Sequence, residues 1–150
     1  MVRILFLCHG NICRSPMAEF VMKDLVRKAG LGNEILIESA ALHTDEIGSD
    51  IHGGTKRVLD AHHVQYRKRS AHLTDAFDYE KFDYIVGMDR ENMRDMEIVF
   101  NGDPDSKCSL LLDWADTPGI VDDPWYTGDF ETTYNQVVSG CEGLLNHIDD

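Results

Sequence analysis

Cys8-His9-Gly10-Asn11-Ile12-Cys13-Arg14-Ser15-Pro16 (CHGNICRSP) follows directly on Val2–Leu7, VRILFL, in which five of six residues are apolar. The short length of 2–7 and its branched and aromatic content predict a buried strand. Pro16 stands where proline is favoured, at the opening of a helix. Behind it Met17, Phe20, Val21, Met22, Leu25 and Val26 keep a helical period until Gly30 and Gly32 stop it. The segment 8–15 is therefore a tight strand-to-helix connection, and it carries two cysteines, an arginine and a serine.

The same alternation continues outward. Strands are predicted over 34–38, 82–87 and 108–112, and helices over 55–62, 89–98 and 132–147, with Asp89 as the cap of the middle one. On the last helix Tyr134, Val137, Val138, Cys141, Leu144, Leu145 and Ile148 share one side. Segment 39–54 is a loop, 66–74 is basic and irregular, and 113–128 is a long Pro/Gly/Asp loop of the kind that is uncommon unless functional or disordered. Strands alternating with helices predict an α/β fold: a single domain over 1–150, with a four-stranded parallel sheet and helices on both faces. In such sheets ligands bind beyond the carboxyl ends of the strands, where the segment 8–15 lies.

Composition narrows the partners. The chain has 150 residues, 43% hydrophobic and 27% charged, which suits one globular domain. No apolar run approaches the roughly 20 residues of a membrane span, and no cleavage site follows the first strand, so the expected location is cytoplasmic. A net charge of −13 argues against nucleic acid or an anionic membrane as partner. The four cysteines, Cys8, Cys13, Cys108 and Cys141, match no zinc spacing, and no disulfide framework is expected in a reducing compartment. No metal and no cofactor are expected.

An anionic substrate must then be drawn in by a local positive site. Gly10 and Asn11 tolerate unusual backbone angles, so the loop can turn successive N–H groups inward, and the following helix adds its positive end. Arg14 offers a planar fork for two oxygens of a phosphate. A phosphate seat over His9, Gly10, Asn11, Ile12, Cys13, Arg14 and Ser15 would have Cys8 as its floor, where donors favour the nucleophilic thiolate. Ser15 can donate a hydrogen bond to that sulfur and ease its departure. A lone cysteine after a strand is usually only packed, but C-x5-R-S between strand and helix is a much narrower pattern.

With these residues the sequence resembles the low-molecular-weight protein tyrosine phosphatases. CHGNICRSPMAE, Ser39–Ala40, FDYIVGMDRENMRDM and DDPWYTGDFETTY carry the resemblance, in order and over essentially the whole chain. It implies the flavodoxin-like, phosphotyrosine phosphatase I type of fold. It implies a metal-independent hydrolase that splits phosphotyrosine or another aryl phosphate through a phosphocysteine on Cys8 and releases inorganic phosphate. Arg14 is the clamp, and Asp123, the aspartate before proline in Asp123-Pro124-Trp125-Tyr126, is the general acid and base. Proline restricts its neighbour to extended geometry, which helps to aim that carboxyl. The expected partners are a phosphotyrosine protein or a small aryl phosphate, and the expected assembly is a monomer or weak dimer.

Other roles follow from the same resemblance. Ile12, Asp45, Trp125 and Tyr126 are expected around the substrate pocket, and a branched apolar residue at Ile12 accompanies phosphotyrosine where threonine accompanies phosphoarginine. Cys13 is either a small packed residue or a redox guard that forms a reversible disulfide with Cys8. Cys108 and Cys141 read as core. Asn11 is expected to brace the loop, and Asp89 and Asn92 to support it or to cap a helix. The chain departs from the family at His9, usually small or apolar, at Asp45, often aromatic, and at Ala41, commonly glycine. A supporting histidine common in the family is missing; either Lys68 or His72 stands in, or neither does, while the run Arg67-Lys68-Arg69 reads as a solvated face. Alternative activities are an arsenate reductase or a phosphoarginine phosphatase on the same scaffold, or a non-catalytic phosphoprotein-binding module.

Overall fold

β1 (Val2–Cys8) carries the core in both directions across the sheet. Ile4, Phe6 and Cys8 pack with Met17, Val21, Val137, Cys141 and Leu144, whereas Leu5 and Leu7 pack with Tyr79, Phe82, Ile85, Met96 and Phe100. Alternate side chains of a strand face opposite ways, so a near-continuous apolar run is what a strand covered on both faces needs.

A computed structural model describes residues 1–149. In chain order β1 is followed by α1 (Arg14–Lys28), β2 (Ile35–Ala41), α2 (Gly53–Ala61), α3 (Asp78–Lys81), β3 (Tyr84–Gly87), α4 (Arg90–Val99), β4 (Cys108–Leu110), a 3-10 turn at Leu111–Trp114, α5 (Pro124–Thr127) and α6 (Phe130–Asp149). The four strands are all parallel in the order β2-β1-β3-β4, as the alternation predicts. The chain steps from β1 to β2 on one side, then crosses to β3 on the other. The carboxyl ends of β1 and β3 therefore flank the crevice where the winding reverses, the natural binding place in open α/β sheets.

Several boundaries differ from the sequence reading, each for a local reason. α1 begins at Arg14, so Pro16 is its third residue; the first turn has free N–H groups anyway, and proline is tolerated there. β2 runs on to Ala41 because Ser39, Ala40 and Ala41 keep pairing with Phe6, Leu7 and Cys8. β3 starts only at Tyr84, and the short helix α3 precedes it. β4 ends at Leu110, where Asp113 accepts the Leu110 N–H at 3.0 Å and turns 111–114 into a 3-10 turn. α6 starts earlier, at Phe130, and packs tightly on that turn: a Cβ on Gly143 would lie 1.8 Å from the Trp114 carbonyl oxygen. No helix among the described residues is long and apolar enough to cross a membrane.

Candidate active site

Between β1 and α1 the chain makes a nearly closed loop whose carbonyls point away from its centre. The Cys8 carbonyl accepts from Leu42 N–H, that of His9 from His43 N–H, and that of Ile12 from His52 N–H. The Asn11 carbonyl accepts from the Arg69 guanidinium, and that of Cys13 from the Thr55 hydroxyl and Met17 N–H. A trans peptide plane carries its N–H opposite its C=O. Tethering these five carbonyls outward turns the amides of His9, Gly10, Ile12, Cys13 and Arg14 toward the middle of the loop. The result is a nest of donors at a helix N-terminus, suited to a tetrahedral anion.

Asn11 is the residue that makes the curve. Its φ is 59°, while Gly10 stays out of the left-handed region, contrary to the equal part expected of both residues. Gly10 answers to space instead, since a Cβ there would press on the Glu46 side chain at 3.3 Å. The Asn11 amide donates to Ser15 Oγ at 2.8 Å and to Ser39 Oγ at 3.0 Å, and Ser39 donates to Glu19 at 2.5 Å. Ser15 Oγ lies 3.0 Å from Cys8 Sγ, and it is the donor of that hydrogen bond when the sulfur is a thiolate; Ser15 N–H also donates to that sulfur at 3.4 Å. Asn11 and Ser15 are fully buried and Cys8 nearly so.

Arg14 is only 3% exposed, and three groups meet its guanidinium. Nη1 donates to Asp89 Oδ2 at 2.8 Å and to the Val121 carbonyl at 3.0 Å; Nη2 reaches Asp123 Oδ2 at 3.4 Å. Burial alone pushes this guanidinium down, but Cys8, Asp123 and Asp89 together hold it above its ordinary value. Asp89 both caps a helix and supports the loop. Its Oδ1 accepts Asn92 N–H at 2.8 Å, while Asn92 Oδ1 accepts Met88 N–H at 3.0 Å.

The long loop 113–128 delivers Asp123. Val121 N–H is tied to the Met88 carbonyl, Asp122 N–H to Gln136, and the Asp122 carbonyl accepts from Thr133. Asp123 is extended, as the following proline requires, and its Oδ1 caps α5 through Trp125 N–H at 3.1 Å. Trp125 and Tyr126 lie on the surface, 59% and 84% exposed, so they form an outer wall rather than core. A cavity of about 470 Å³ is lined by Cys8, Ile12, Arg14, Asp123, Trp125 and Tyr126. His9, Gly10, Cys13 and Asp45 line it too, while Asn11 and Ser15 stand behind it. A second cavity, about 570 Å³, lies behind the loop among Glu19, Lys23, Ser39 and Arg69 and contains neither Cys8 nor Asp123.

Burial pushes the Cys13 thiol up to about 12, with Cys8 and then Asp123 adding to the effect. Cys141 is fully buried on α6 and Cys108 half-buried on β4; neither lines the cavity.

The support of the loop differs from the sequence reading. Lys68 and His72 have exposed side chains, and it is Arg69 that folds beneath Asn11. Burial pushes its guanidinium down, and Asp50 fixes its backbone by accepting Arg69 N–H at 3.1 Å. Asp50 is itself held at about 2, chiefly by Lys56. Nothing in the run Arg67-Lys68-Arg69 separates the inward arginine from its two solvated neighbours; only the tether at Asp50 does. The two departures His9 and Asp45 meet each other, His9 Nε2 lying 2.8 Å from Asp45 Oδ2, and the His9 hydrogen bond holds the Asp45 carboxyl below its usual range.

Residues 3–150 match the family described as low molecular weight phosphotyrosine protein phosphatase. The chain is 37% identical over 150 residues to the low molecular weight protein-tyrosine-phosphatase YfkJ of Bacillus subtilis, covering 99% of this chain and 96% of that one. The crystal structure of YfkJ superimposes with a TM-score of 0.94, at 38% identity over 99% and 95% of the two chains. That of SP-PTP, a low molecular weight protein tyrosine phosphatase from Streptococcus pyogenes, gives 0.88 at 40% identity over 98% and 93%. DARP, a drosophila arginine phosphatase, gives 0.89 at 30% identity over 98% of each chain. The chain belongs to the low molecular weight protein tyrosine phosphatase family, a family of hydrolases.

If Arg69 holds the Asn11 carbonyl outward, removing its guanidinium loosens the nest. Arg69→Ala is expected to lower kcat on an aryl phosphate about tenfold, the equivalent of ~1.4 kcal/mol for one charge-assisted hydrogen bond. Arg69→Lys should restore part of it, and steady-state kinetics of the two variants check this.

Proposed function

We propose that this chain hydrolyses phosphotyrosine monoesters through a phosphocysteine on Cys8, with Asp123 as general acid and then general base. The observation that carries the reading is the convergence on one cavity of a sulfur hydrogen-bonded twice by Ser15, an inward nest of amides, Arg14 and Asp123.

The phosphoryl group sits in the nest, its equatorial oxygens on the loop amides and Arg14. Cys8 Sγ attacks phosphorus opposite the ester oxygen, the P–O bond breaks, and Asp123 gives its proton to the departing phenolate. Water then attacks phosphorus while Asp123 takes its proton. The S–P bond breaks, and the thiolate returns to the hydrogen bonds of Ser15 as phosphate leaves. Donors already in place where charge develops supply most of the acceleration in such transfers. Every step is carried by side chains and backbone amides, so the cycle needs no metal.

Apolar Ile12 and the exposed Trp125 and Tyr126 offer flat contact to an aromatic ring. A phosphoarginine would leave its guanidinium donors facing Ile12, which favours the aryl substrate, although DARP is named an arginine phosphatase on this fold. Asp45, Glu46, Glu91 and Asp122 surround the mouth, so acidic flanking residues are disfavoured. An arsenate reductase needs further thiols near Cys8, and Cys108 and Cys141 lie outside the cavity. Cys13 adds a guard: after peroxide converts Cys8 to a sulfenic acid, the Cys13 thiol displaces water and closes a disulfide that thiols reopen.

Cys8→Ser is expected to abolish hydrolysis of phosphotyrosine, and a chelator to leave the wild type unimpaired; full activity of the variant sinks the reading. Asp123→Ala should slow poor leaving groups by about 10²–10⁴-fold and activated aryl phosphates far less, which a leaving-group series measures. After peroxide treatment, Cys13→Ser should recover much less activity with dithiothreitol than the wild type; equal recovery removes the guard role.

A further inference from the structure

Two histidines whose side chains take no part in this cycle lie side by side, one of them, His9, at the mouth of the cavity. His9, in the loop after β1, and His43, just past β2, stack with ring centroids 4.1 Å apart and an interplanar angle of 19°. The His43 N–H bonded to the His9 carbonyl at 3.0 Å holds their backbones together. Glu91, in the first turn of α4, brings a carboxylate to the same place: one donor atom from each of His9, His43 and Glu91 lie within 4.8 Å of one another. Three separate segments thus meet at the carboxyl edge of the sheet.

Behind each ring stands a carboxylate. Asp45 Oδ2 lies 2.8 Å from His9 Nε2, and Asp95 Oδ2 lies 2.8 Å from His43 Nε2. A carboxylate accepting from Nε2–H fixes the tautomer and leaves Nδ1 with a free lone pair, the usual arrangement behind histidine ligands of a metal. Glu91 and Asp95 are one helical turn apart on α4, so one helix supplies both a donor and a support.

We propose that His9, His43 and Glu91 bind a divalent transition ion of the zinc class, with Asp45 and Asp95 orienting the two rings. Two imidazoles and one carboxylate select a borderline ion over calcium or magnesium, which prefer all-oxygen sites. Three carboxylates at the site, in a chain of net charge −13, favour a dication. Metal–nitrogen bonds are about 2.0–2.1 Å, so binding requires the rings to leave their stack and close on the ion. His9 and His43 are half-exposed and Glu91 is exposed, which leaves room for that movement. Three protein donors leave a coordination position free, and His9 and Glu91 line the cavity of Cys8. The ion therefore sits on the rim of the substrate cavity, as a resident of the mouth and not a participant in phosphoryl transfer.

The thiolate of Cys8 is a rival metal ligand, so the test uses the full chain carrying Cys8→Ser. Titration with Co²⁺ should give one equivalent of visible d–d absorption, no sulfur-to-cobalt charge-transfer band, and displacement by Zn²⁺. Adding His43→Ala or Glu91→Gln should weaken binding at least tenfold, and Asp95→Asn, which keeps all three donors, about 10-fold or more. In the Cys8-containing background, metal-free turnover of His43→Ala should match the wild type, which establishes that it folds; were it to unfold, the exposed Glu91→Gln decides. Absence of binding, a sulfur charge-transfer band, or affinity unchanged by Glu91→Gln overturns the proposal and leaves two surface histidine–carboxylate pairs.

Discussion

A buried guanidinium ties the site to the fold. Arg14 is almost fully removed from water, and a charge so placed is tolerated only when it is paired and hydrogen-bonded. Its partners come from two stretches far from it in sequence: Asp89 after β3, and the Val121–Asp123 stretch of the long loop. Breaking such a pair costs about 3–5 kcal/mol, because a charge is left without a partner. The requirement to satisfy Arg14 therefore draws the ends of β1 and β3 and the acid loop onto one point. The sheet order β2-β1-β3-β4 makes this possible by leaving β1 and β3 adjacent where the winding reverses.

Around that point the site is held mainly by backbone. The donors of the nest are amides of the loop, and their direction is set by what their carbonyls bind on the outside. Leu42, His43 and His52 supply N–H groups, Thr55 a hydroxyl and Arg69 a guanidinium. An acidic chain with net charge −13 thereby presents a locally positive seat to a dianion. The extended β2 serves the same end: Ala41 pairs with Cys8, and the next two residues grip the loop as it leaves β1.

The parts of this arrangement that depend on local pattern were legible in the sequence. The apolar run of β1, the Gly and Asn of the loop and the period of α1 gave the strand–loop–helix, and the alternation of elements gave the parallel sheet. C-x5-R-S singled out Cys8 and Arg14, which the fold brings to one cavity, from chemistry alone, whereas Asp123 needed the family resemblance, because five aspartates in 113–130 offer the same carboxyl. What was not legible depends on tertiary neighbours. Arg69 is chemically the same as Arg67, and what distinguishes it is tertiary: its backbone N–H is held by Asp50 and its guanidinium by the Asn11 carbonyl. His9 and Asp45 were each unusual, but their pairing across 36 positions follows from β2 lying beside β1. The end of β4 is not legible because CSLLL is equally apolar as strand or turn, and Asp113 decides between them by capturing Leu110 N–H.

The two oxygens of Asp123 separate placement from chemistry. Oδ1 is spent on the backbone of Trp125, where it starts a helical turn, and proline holds the preceding backbone extended. Oδ2 faces Arg14 at 3.4 Å, longer than the 2.8 Å that Arg14 keeps with Asp89. Asp89 is thus the structural anchor of the guanidinium, and Asp123 the weaker partner, which in the proposed cycle exchanges that contact for a substrate oxygen. A carboxylate bound as tightly as Asp89 would have to break a buried ion pair in every turnover of that cycle. The same helical turn that aims Asp123 also raises Trp125 and Tyr126 into solvent above the cavity. Asp123 and the aromatic wall are therefore set by one short element, and in the proposed reaction a substrate ring that meets the wall brings its ester oxygen to the carboxyl in the same motion.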